Sequence, residues 1–391
     1  MTRQKDVTAM EEVLELICQS GLDGLNQAIA ILINEAMKIE RTRAIQADPY
    51  ERTANRQGYA NGFKPKTLKT RIGQLDLQVP QVRGDISFYP SAIERGVRSE
   101  RALKLAVAEM YLKGVSTRKV TAIVGQLCGF DITSAQVSRA TQELDTELEK
   151  WRTRPLGVTP FVQLDASYEK VRIDGSVRSC AVLIASGITD EGYRTILGVS
   201  VSMSEAEIHW REFLQSLKER GLRGVEMITS DDHEGLKAAL NSTFPGSKWQ
   251  RCQVHLQRNA TAYVPKVHMR ETVAADIRSI FNAPNLEEAQ RLLLLTADKY
   301  RSKASRLANW MEDNIPEGFA CFDLPKKLRR RLRTTNMLER IHREIKRRTR
   351  VATLFPNEAA LLRLVTAILA EVSEEWESGR KYLTLEVDQD Q

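Results

Sequence analysis

Phe161-Val162-Gln163-Leu164-Asp165-Ala166-Ser167 opens a stretch that reads as a β-strand to Ile173 and carries an acid in its interior. Aspartate is unfavourable in a strand and costly to bury, so something at this position must compensate it. The strand turns at Asp174-Gly175 into Ser179 to Ser186, and again at Asp190-Glu191-Gly192 into Tyr193 to Ser202. From Ser204 to Arg220 the period becomes helical, with Ile208, Phe213, Leu214 and Leu217 apolar. Val225 to Ser230 then reads as a short buried strand, His233 to Phe244 as a helix and Trp249 to Val254 as another strand. A second acid, Asp231, stands where the short strand ends, in Met227-Ile228-Thr229-Ser230-Asp231-Asp232-His233.

Three antiparallel strands followed by helix, strand, helix and strand is the element order of a ribonuclease-H-like core, an α+β or α/β arrangement on a mixed five-stranded sheet. In that layout the first and fourth strands are central neighbours, so Asp165 and Asp231 are expected to meet. The first part of the core is placed at 155–256, after the Pro155 to Pro160 change of texture. An α-helical insertion is expected at 257–332, since His255 to Asp323 is helical in pattern with no further strand. The rest of the core falls at 333–372, including a basic helix after Asn336, and an acidic tail at 373–391 is expected to be mobile beyond Tyr382.

Ahead of the core, residues 1–99 form a helical and hairpin region. Val13, Leu14, Ile17, Leu25, Ala28, Ile29 and Leu32 predict two amphipathic helices split at Gly21-Leu22-Asp23-Gly24. The alternating run Leu68 to Val82, turning at Gly73-Gln74, resembles a hairpin whose Lys64, Lys66, Lys69 and Arg71 face either phosphates or solvent. In a domain placed at 100–154, residues 100–149 read as three helices, the second capped by Ser116 and the third opened by Thr133 with Gln136 as a capping box. Val120, Ile123, Val124 and Leu127 would pack on Val137, Ala140 and Leu144, leaving Ser134, Gln136, Ser138 and Arg139 outward. A helix-turn-helix lays its last helix in the DNA major groove, and these are its proportions; a plain helical bundle shares them.

Length and composition set outer bounds. The 391 residues suggest two or three domains, and 42% hydrophobic content supplies an ordinary core. Net charge is +7, with bases crowded from Lys326 to Arg350 and acids from Glu371 to Asp390, which suits a polyanionic partner locally rather than globally. Five scattered cysteines, none in a Cys-x-x-Cys pair, fit a reducing cytoplasm. The N-terminus has no secretion-signal pattern, and no run approaches the ~20 apolar residues of a membrane span, so a soluble protein away from the membrane is expected.

A third acid, Glu339, lies in Thr334-Thr335-Asn336-Met337-Leu338-Glu339-Arg340, where Asn336 can cap a helix and Glu339 can complete the cap. That helix puts Leu338, Ile341 and Ile345 on one side and Arg340, Arg343, Lys346, Arg347 and Arg350 mostly on the other, with Glu339 beside Arg343 and Lys346. Asp231 or Asp232 can likewise be a simple helix cap, and Asp165 can be salt-bridged. Three carboxylates converging from a strand, its neighbour and a helix can instead hold two Mg²⁺ (or Mn²⁺) ions about 4 Å apart. Cys252 and His255 amount to half a zinc site with no second pair nearby, and Trp210 fits the core as well as a base-stacking role.

The chain resembles bacterial insertion-sequence transposases of the Mutator family. The resemblance rests on Thr334-Thr335-Asn336-x-x-Glu339-Arg340 with Glu344 and Lys346-Arg347-Arg348, on Arg251-Cys252-Gln253-Val254-His255, and on Glu205-Ala206-Glu207-Ile208-His209-Trp210-Arg211-Glu212-Phe213-Leu214. It implies a DDE triad at Asp165, Asp231 and Glu339 serving catalysis and metal binding, a helical insertion before the glutamate, and a structural pair at Cys252 and His255. It further implies N-terminal helices that bind terminal inverted repeats, with double-stranded DNA as partner, and 3′-hydroxyl strand transfer through a circular intermediate. Arg139, Gln136 and Ser138, and then Arg340, Arg343, Lys346 and Arg347, are the expected DNA contacts. Bringing two element ends together implies a homodimer on DNA, in a bacterial cytoplasm near the nucleoid. The family has a small residue where this chain has Asp232; strand phase favours Asp231 as the ligand. A structure-specific nuclease of the same fold and a catalytically dead DNA-binding regulator are the alternatives.

Overall fold

The computed structural model describes residues 8–84, 86–113, 115–350 and 354–385. The chain divides into two units, Met1–Leu144 and Asp145–Gln391.

In the first unit, α1 (Ala9–Ser20) starts at Thr8, whose hydroxyl accepts from the Glu11 N–H while Glu11 accepts from the Thr8 N–H. A 3₁₀ turn at Gly21–Gly24 leads into α2 (Leu25–Ile45), the split expected from the glycines. Together Ala9–Ile45 contain a window long and apolar enough to cross a membrane by length and composition, contrary to the expectation that no such stretch exists. Part of its apolar surface lies against β1 (Tyr59–Thr70) and β2 (Gly73–Arg83), around Met37, Leu75, Leu77, Val79 and Ile93. The hairpin is longer than expected: it begins at Tyr59 rather than Leu68 and turns at Arg71-Ile72. Its first arm is exposed along most of its length, so no buried alternation marks it. The next three helices are α3 (Arg101–Leu112), α4 (Thr117–Cys128) and α5 (Ser134–Gln142), packed around Leu103, Val107, Val120, Val124, Val137 and Ala140. Both expected caps form, at Ser116 and Thr133, but Leu127 is exposed rather than packed.

The helix expected to run on to 149 stops at Gln142, and α6 (Asp145–Thr153) belongs to the second unit. The tie is a two-pronged ion pair from Asp145 to Arg363, with contacts of 2.6 and 2.7 Å. A five-stranded sheet follows, with β3 (Phe161–Ile173), β4 (Ser176–Ile188), β5 (Arg194–Ser202), β6 (Met227–Ser230) and β7 (Lys248–Arg251) in the order β5-β4-β3-β6-β7. The first three strands are antiparallel, while β6 runs parallel to both β3 and β7. Asp174 and Gly175 both take positive φ in the β3–β4 turn, which suits the twist of a tight hairpin. Helices α7 (Glu207–Glu219) and α8 (Glu234–Thr243) connect the strands, and their Trp210, Phe213, Leu217, Leu236 and Leu240 pack on Val162, Leu164 and Leu183. Trp210 is fully buried and is therefore core.

The last expected strand ends early, because Val254 already lies in α9 (Gln253–Ala260). Helices α10 (Arg270–Phe281), α11 (Leu286–Arg301) and α12 (Ser305–Asn314) form the insertion, with a core of their own that takes in Leu256 and Ala260 of α9. The chain returns through α13 (Lys326–Leu332), α14 (Asn336–Thr349) and α15 (Glu358–Glu377) to the other face of the sheet. There Phe161, Ile188, Met227, Leu328, Leu332 and Leu383 form a second cluster. The expected tail from 373 thus begins inside α15, and its described part is anchored rather than loose. The N–H groups of Tyr382 and Leu383 donate to the Gly192 carbonyl, at 2.8 and 3.1 Å. Gly192 sits at φ +89, and a Cβ there would meet the Leu383 carbonyl oxygen at 1.9 Å, so the anchor requires glycine.

Candidate active site

Asp165 and Asp231 reach one level of the sheet through strand register. Val162 pairs with Ile228 and Gln163 with Thr229 in parallel, so two residues further each strand presents its acid to the same face. Adjacent strands are about 4.8 Å apart. Asp165 is buried, and its Oδ1 accepts from the Ala166 N–H at 3.0 Å. Burial first and Asp165 second raise the Asp231 carboxyl above its usual range, against the pull of His255 and His233. Asp232 turns the other way and is consumed in ion pairs with Arg251 at 3.0 Å and Lys237 at 3.1 Å.

Glu339 comes from the start of α14, which is placed by an anchor the sequence motif leaves implicit. The N-cap is Thr335, not Asn336, and its side chain does not cap the helix. The Thr335 N–H and hydroxyl instead both donate to the buried Cys252 Sγ, each at 3.3 Å. Thr229 Oγ1 donates to the Leu332 carbonyl at 2.7 Å, fixing the end of α13 to β6. The Cys252–His255 pair therefore joins the last strand to the glutamate helix. Burial alone would push the Cys252 thiol up, but His255 and the Thr335 donors outweigh it and hold it below its ordinary value. The Cys252 sulfur in turn pushes His255 up to about 9, against burial and with help from Asp165 and Asp231.

His255 Nε2 stands 3.7 Å from Glu339 Oε1, so one imidazole senses all three acids. Arg258 grips Glu339 from the same helix as His255, with contacts of 2.6 and 3.3 Å. The three acids thus flank a shared centre, yet among the described residues no group of three or more ligating side chains stands in metal-holding geometry. Two carboxylates are side by side; the third is turned onto an arginine.

Three further groups are seen only in three dimensions. His342, one turn after Glu339, puts Nε2 3.3 Å from Asp165 Oδ2. Ser167 lies on the Asp165 face of β3, buried and without a hydrogen-bond partner among the described residues. Glu205 is raised by burial and also by Asp231 and Asp165, so it belongs to the same acidic neighbourhood. Its loop reaches there because α8 carries Gly235, where a Cβ would meet the Glu205 carbonyl oxygen at 2.5 Å. The signal for Glu205 in sequence is only its place ahead of a helix, which many acids share.

The expected nucleic-acid contacts fare unevenly. Ser138 and Arg139 are exposed on α5, whereas Gln136 accepts from the Thr133 N–H at 2.8 Å in the capping box. Lys69 is spent on the Asp131 carbonyl, Lys66 on the Glu94 carbonyl and Arg71 on Glu100. On α14, Arg340 and Arg343 are exposed and have no ion pair among the described residues. Arg347 is held by Glu344 at 2.7 and 2.8 Å, and Lys346 stands close enough to Glu169 to offset in part the burial that raises its carboxyl.

Residues 1–379 match the family model described as transposase, Mutator family. The transposase for insertion sequence element IS406 of Burkholderia multivorans is 53% identical over 385 residues, covering 98% of this chain and 99% of that protein. The transposase for insertion sequence element IS256 in transposon Tn4001 of Staphylococcus aureus is 36% identical, covering 99% of this chain and all of that protein. The transposase for element ISRM5 of Rhizobium meliloti is 41% identical over 99% of this chain and 96% of that protein. With a sheet that brings two acids together and a family match along almost its whole length, the chain belongs to the Mutator family of transposases.

Proposed function

We propose that this protein is the transposase of an insertion sequence. In this reading it binds the element's terminal inverted repeats and cuts and joins DNA strands at a DDE site of Asp165, Asp231 and Glu339 on a ribonuclease-H-like core. The observation that carries it is the parallel β3–β6 register, with Gln163 opposite Thr229, which brings Asp165 and Asp231 to one level on the face that α14 covers. The strand order β5-β4-β3-β6-β7 supports the assignment of the core.

The acidic pair fits a divalent cation. Two carboxylates side by side in a buried setting repel each other, and Asp231 shows that in its raised value. Asp165 and Asp231 would hold Mg²⁺ or Mn²⁺ between them, with Glu339 as third ligand once it leaves Arg258. When bound, two such ions supply an activated water or 3′-hydroxyl and stabilise the departing oxygen. Arg258 holds Glu339, and in a metal-loaded site its guanidinium would be available to a phosphate oxygen. His255 balances charge among the acids, and the Thr335–Cys252 anchor keeps the start of α14 at a fixed place above the sheet. Ser138 and Arg139 on α5 are positioned to read a groove of the repeat, and Arg340 and Arg343 to hold backbone phosphates. Two element ends must be joined in one event, so the working form is a homodimer on DNA.

The test is cleavage of supercoiled DNA carrying the element's flanking ends, in Mg²⁺ and in Mn²⁺. Nicking at the ends that disappears in Asp165→Asn, Asp231→Asn and Glu339→Gln, with end binding retained, supports the reading. Nicking that ignores the repeats points to a nuclease. End-specific binding without cutting in either metal points to a regulator.

A further inference from the structure

The arginines of the second unit fall into two populations. Arg251, Arg258, Arg347, Arg348 and Arg363 each have a carboxylate partner. Arg194, Arg331 and Arg340 have none among the described residues. The three come from β5, α13 and α14, far apart in sequence, yet they stand together. Burial first and then Tyr382, Arg340 and Arg331 set the Arg194 environment, so three like charges share one place. Arg194 and Arg340 line a cleft of about 810 Å³ along α14 and α15. Arg331 lines an adjoining cleft of about 470 Å³ that shares Asn336, Met337 and Tyr382 with the first.

Aromatic rings, not acids, hold this cluster. The Arg194 guanidinium lies 4.6 Å from the Trp376 ring centre and 4.8 Å from that of Tyr382. Arg331 lies 4.9 Å from the Tyr382 ring centre. A ring face orients a guanidinium without neutralising it, which leaves its N–H donors for another acceptor. Two acids lie on the cleft wall: Glu344 is already committed to Arg347 and Arg348, and Glu375 makes no ion pair with the cluster among the described residues. Keeping three unneutralised arginines together costs free energy through mutual repulsion, and an anion removes that cost.

The second cleft also touches Gln163, two residues before Asp165 on the same face of β3, about 7 Å along the strand. An anion bound by the arginines is therefore in line with the acidic pair. We propose that Arg194, Arg331 and Arg340, oriented by Trp376 and Tyr382, form a phosphodiester-binding groove that holds the DNA backbone beside the cleavage site. The inference rests on the DNA-processing reading above and adds to it a second wall, from β5, α13 and the C-terminal segment, facing the basic side of α14.

Binding of the full-length protein to a labelled 30-base-pair duplex, followed by anisotropy across a salt series without divalent metal, tests it. The readout needs no cleavage, so failure of the catalytic reading would leave it intact. Each of Arg194→Gln, Arg331→Gln and Arg340→Gln should weaken binding and lower the slope of log affinity against log salt by about one. The control Arg291→Gln, at an exposed helical pair with Glu288 in the insertion, should leave the slope unchanged. Circular dichroism and the melting temperature identify any variant that fails to fold, and the remaining two then decide. Unchanged slopes in folded variants overturn the proposal. So does binding of inorganic phosphate or pyrophosphate that the variants abolish while the duplex slope stays the same, which would make the cluster a small-anion site.

Discussion

The two faces of β3 are both covered, but by opposite chemistries. Toward α7 and α8 the strand shows Val162 and Leu164, packed against Trp210, Phe213 and Leu217. Toward α14 and α15 it shows Gln163, Asp165 and Ser167, all buried and all polar. The first face gains free energy by excluding water, at about 25 cal/mol per Å² of apolar surface. The second gains in that way only at its start, where Phe161 packs with Leu328, Leu332 and Leu383; beyond it the face is held by the Thr335–Cys252 anchor, the α13 tie to Thr229 and the Gly192 seat for Leu383. From Val162 to Ser167, apolar packing lies on one face of the strand and the acidic pair on the other, so the two faces should fail differently.

The largest expected effect is on the polar face. Asp165→Asn should cut strand cleavage by roughly 10³-fold or more, because the proposed cation site would lose a ligand. The melting temperature should hold or rise, since the change relieves the repulsion on Asp231. A large drop in melting temperature would mean that Asp165 is structural. On the apolar face Leu164→Ala should do the reverse, costing about 2–5 kcal/mol in denaturant unfolding while the folded fraction still cuts DNA. Gly235→Ala tests the seam where the Glu205 loop meets α8. Its new Cβ meets backbone, so a loss of about 1–3 kcal/mol is expected, together with weaker cleavage as Glu205 shifts away from the acids.

The smallest effect concerns acid. Arg347 first, with Arg348, holds Glu344 down at about 2 against burial. A depressed carboxylate contributes stability that is full above its unfolded value of about 4.3 and is lost as pH falls through about 2. The parent should therefore melt slightly above Glu344→Gln at pH 6, with the gap closing between pH 4 and pH 2. Solvent screening keeps that gap small.

What could be seen in the sequence followed how local its cause was. The β3–β4 hairpin was legible because Asp174-Gly175 and the flanking alternation are local, and the caps at Ser116 and Thr133 were of the same kind. The hairpin arm from Tyr59 was hidden because neither of its faces is buried. Beyond the break at Gln142, Asp145 is tied to Arg363, more than two hundred residues away, a contact no local pattern marks. In the site, strand phase puts Asp231 and Asp232 on opposite faces, and Asp232 is the one bound by Arg251. No periodicity could announce Arg258 on Glu339, His342 beside Asp165, or Arg194 between two rings, because each contact joins separate elements or is decided by how its helix is turned.

The central claim is that Asp165 and Asp231 form one cation site and Asp232 lies outside it. Mn²⁺ binding followed by electron paramagnetic resonance, on the parent, Asp165→Asn, Asp231→Asn and Asp232→Asn, tests it most directly. The account predicts that the parent and Asp232→Asn bind Mn²⁺, while Asp165→Asn and Asp231→Asn bind it at least tenfold more weakly. Loss of binding in Asp232→Asn with Asp231→Asn unaffected would contradict it.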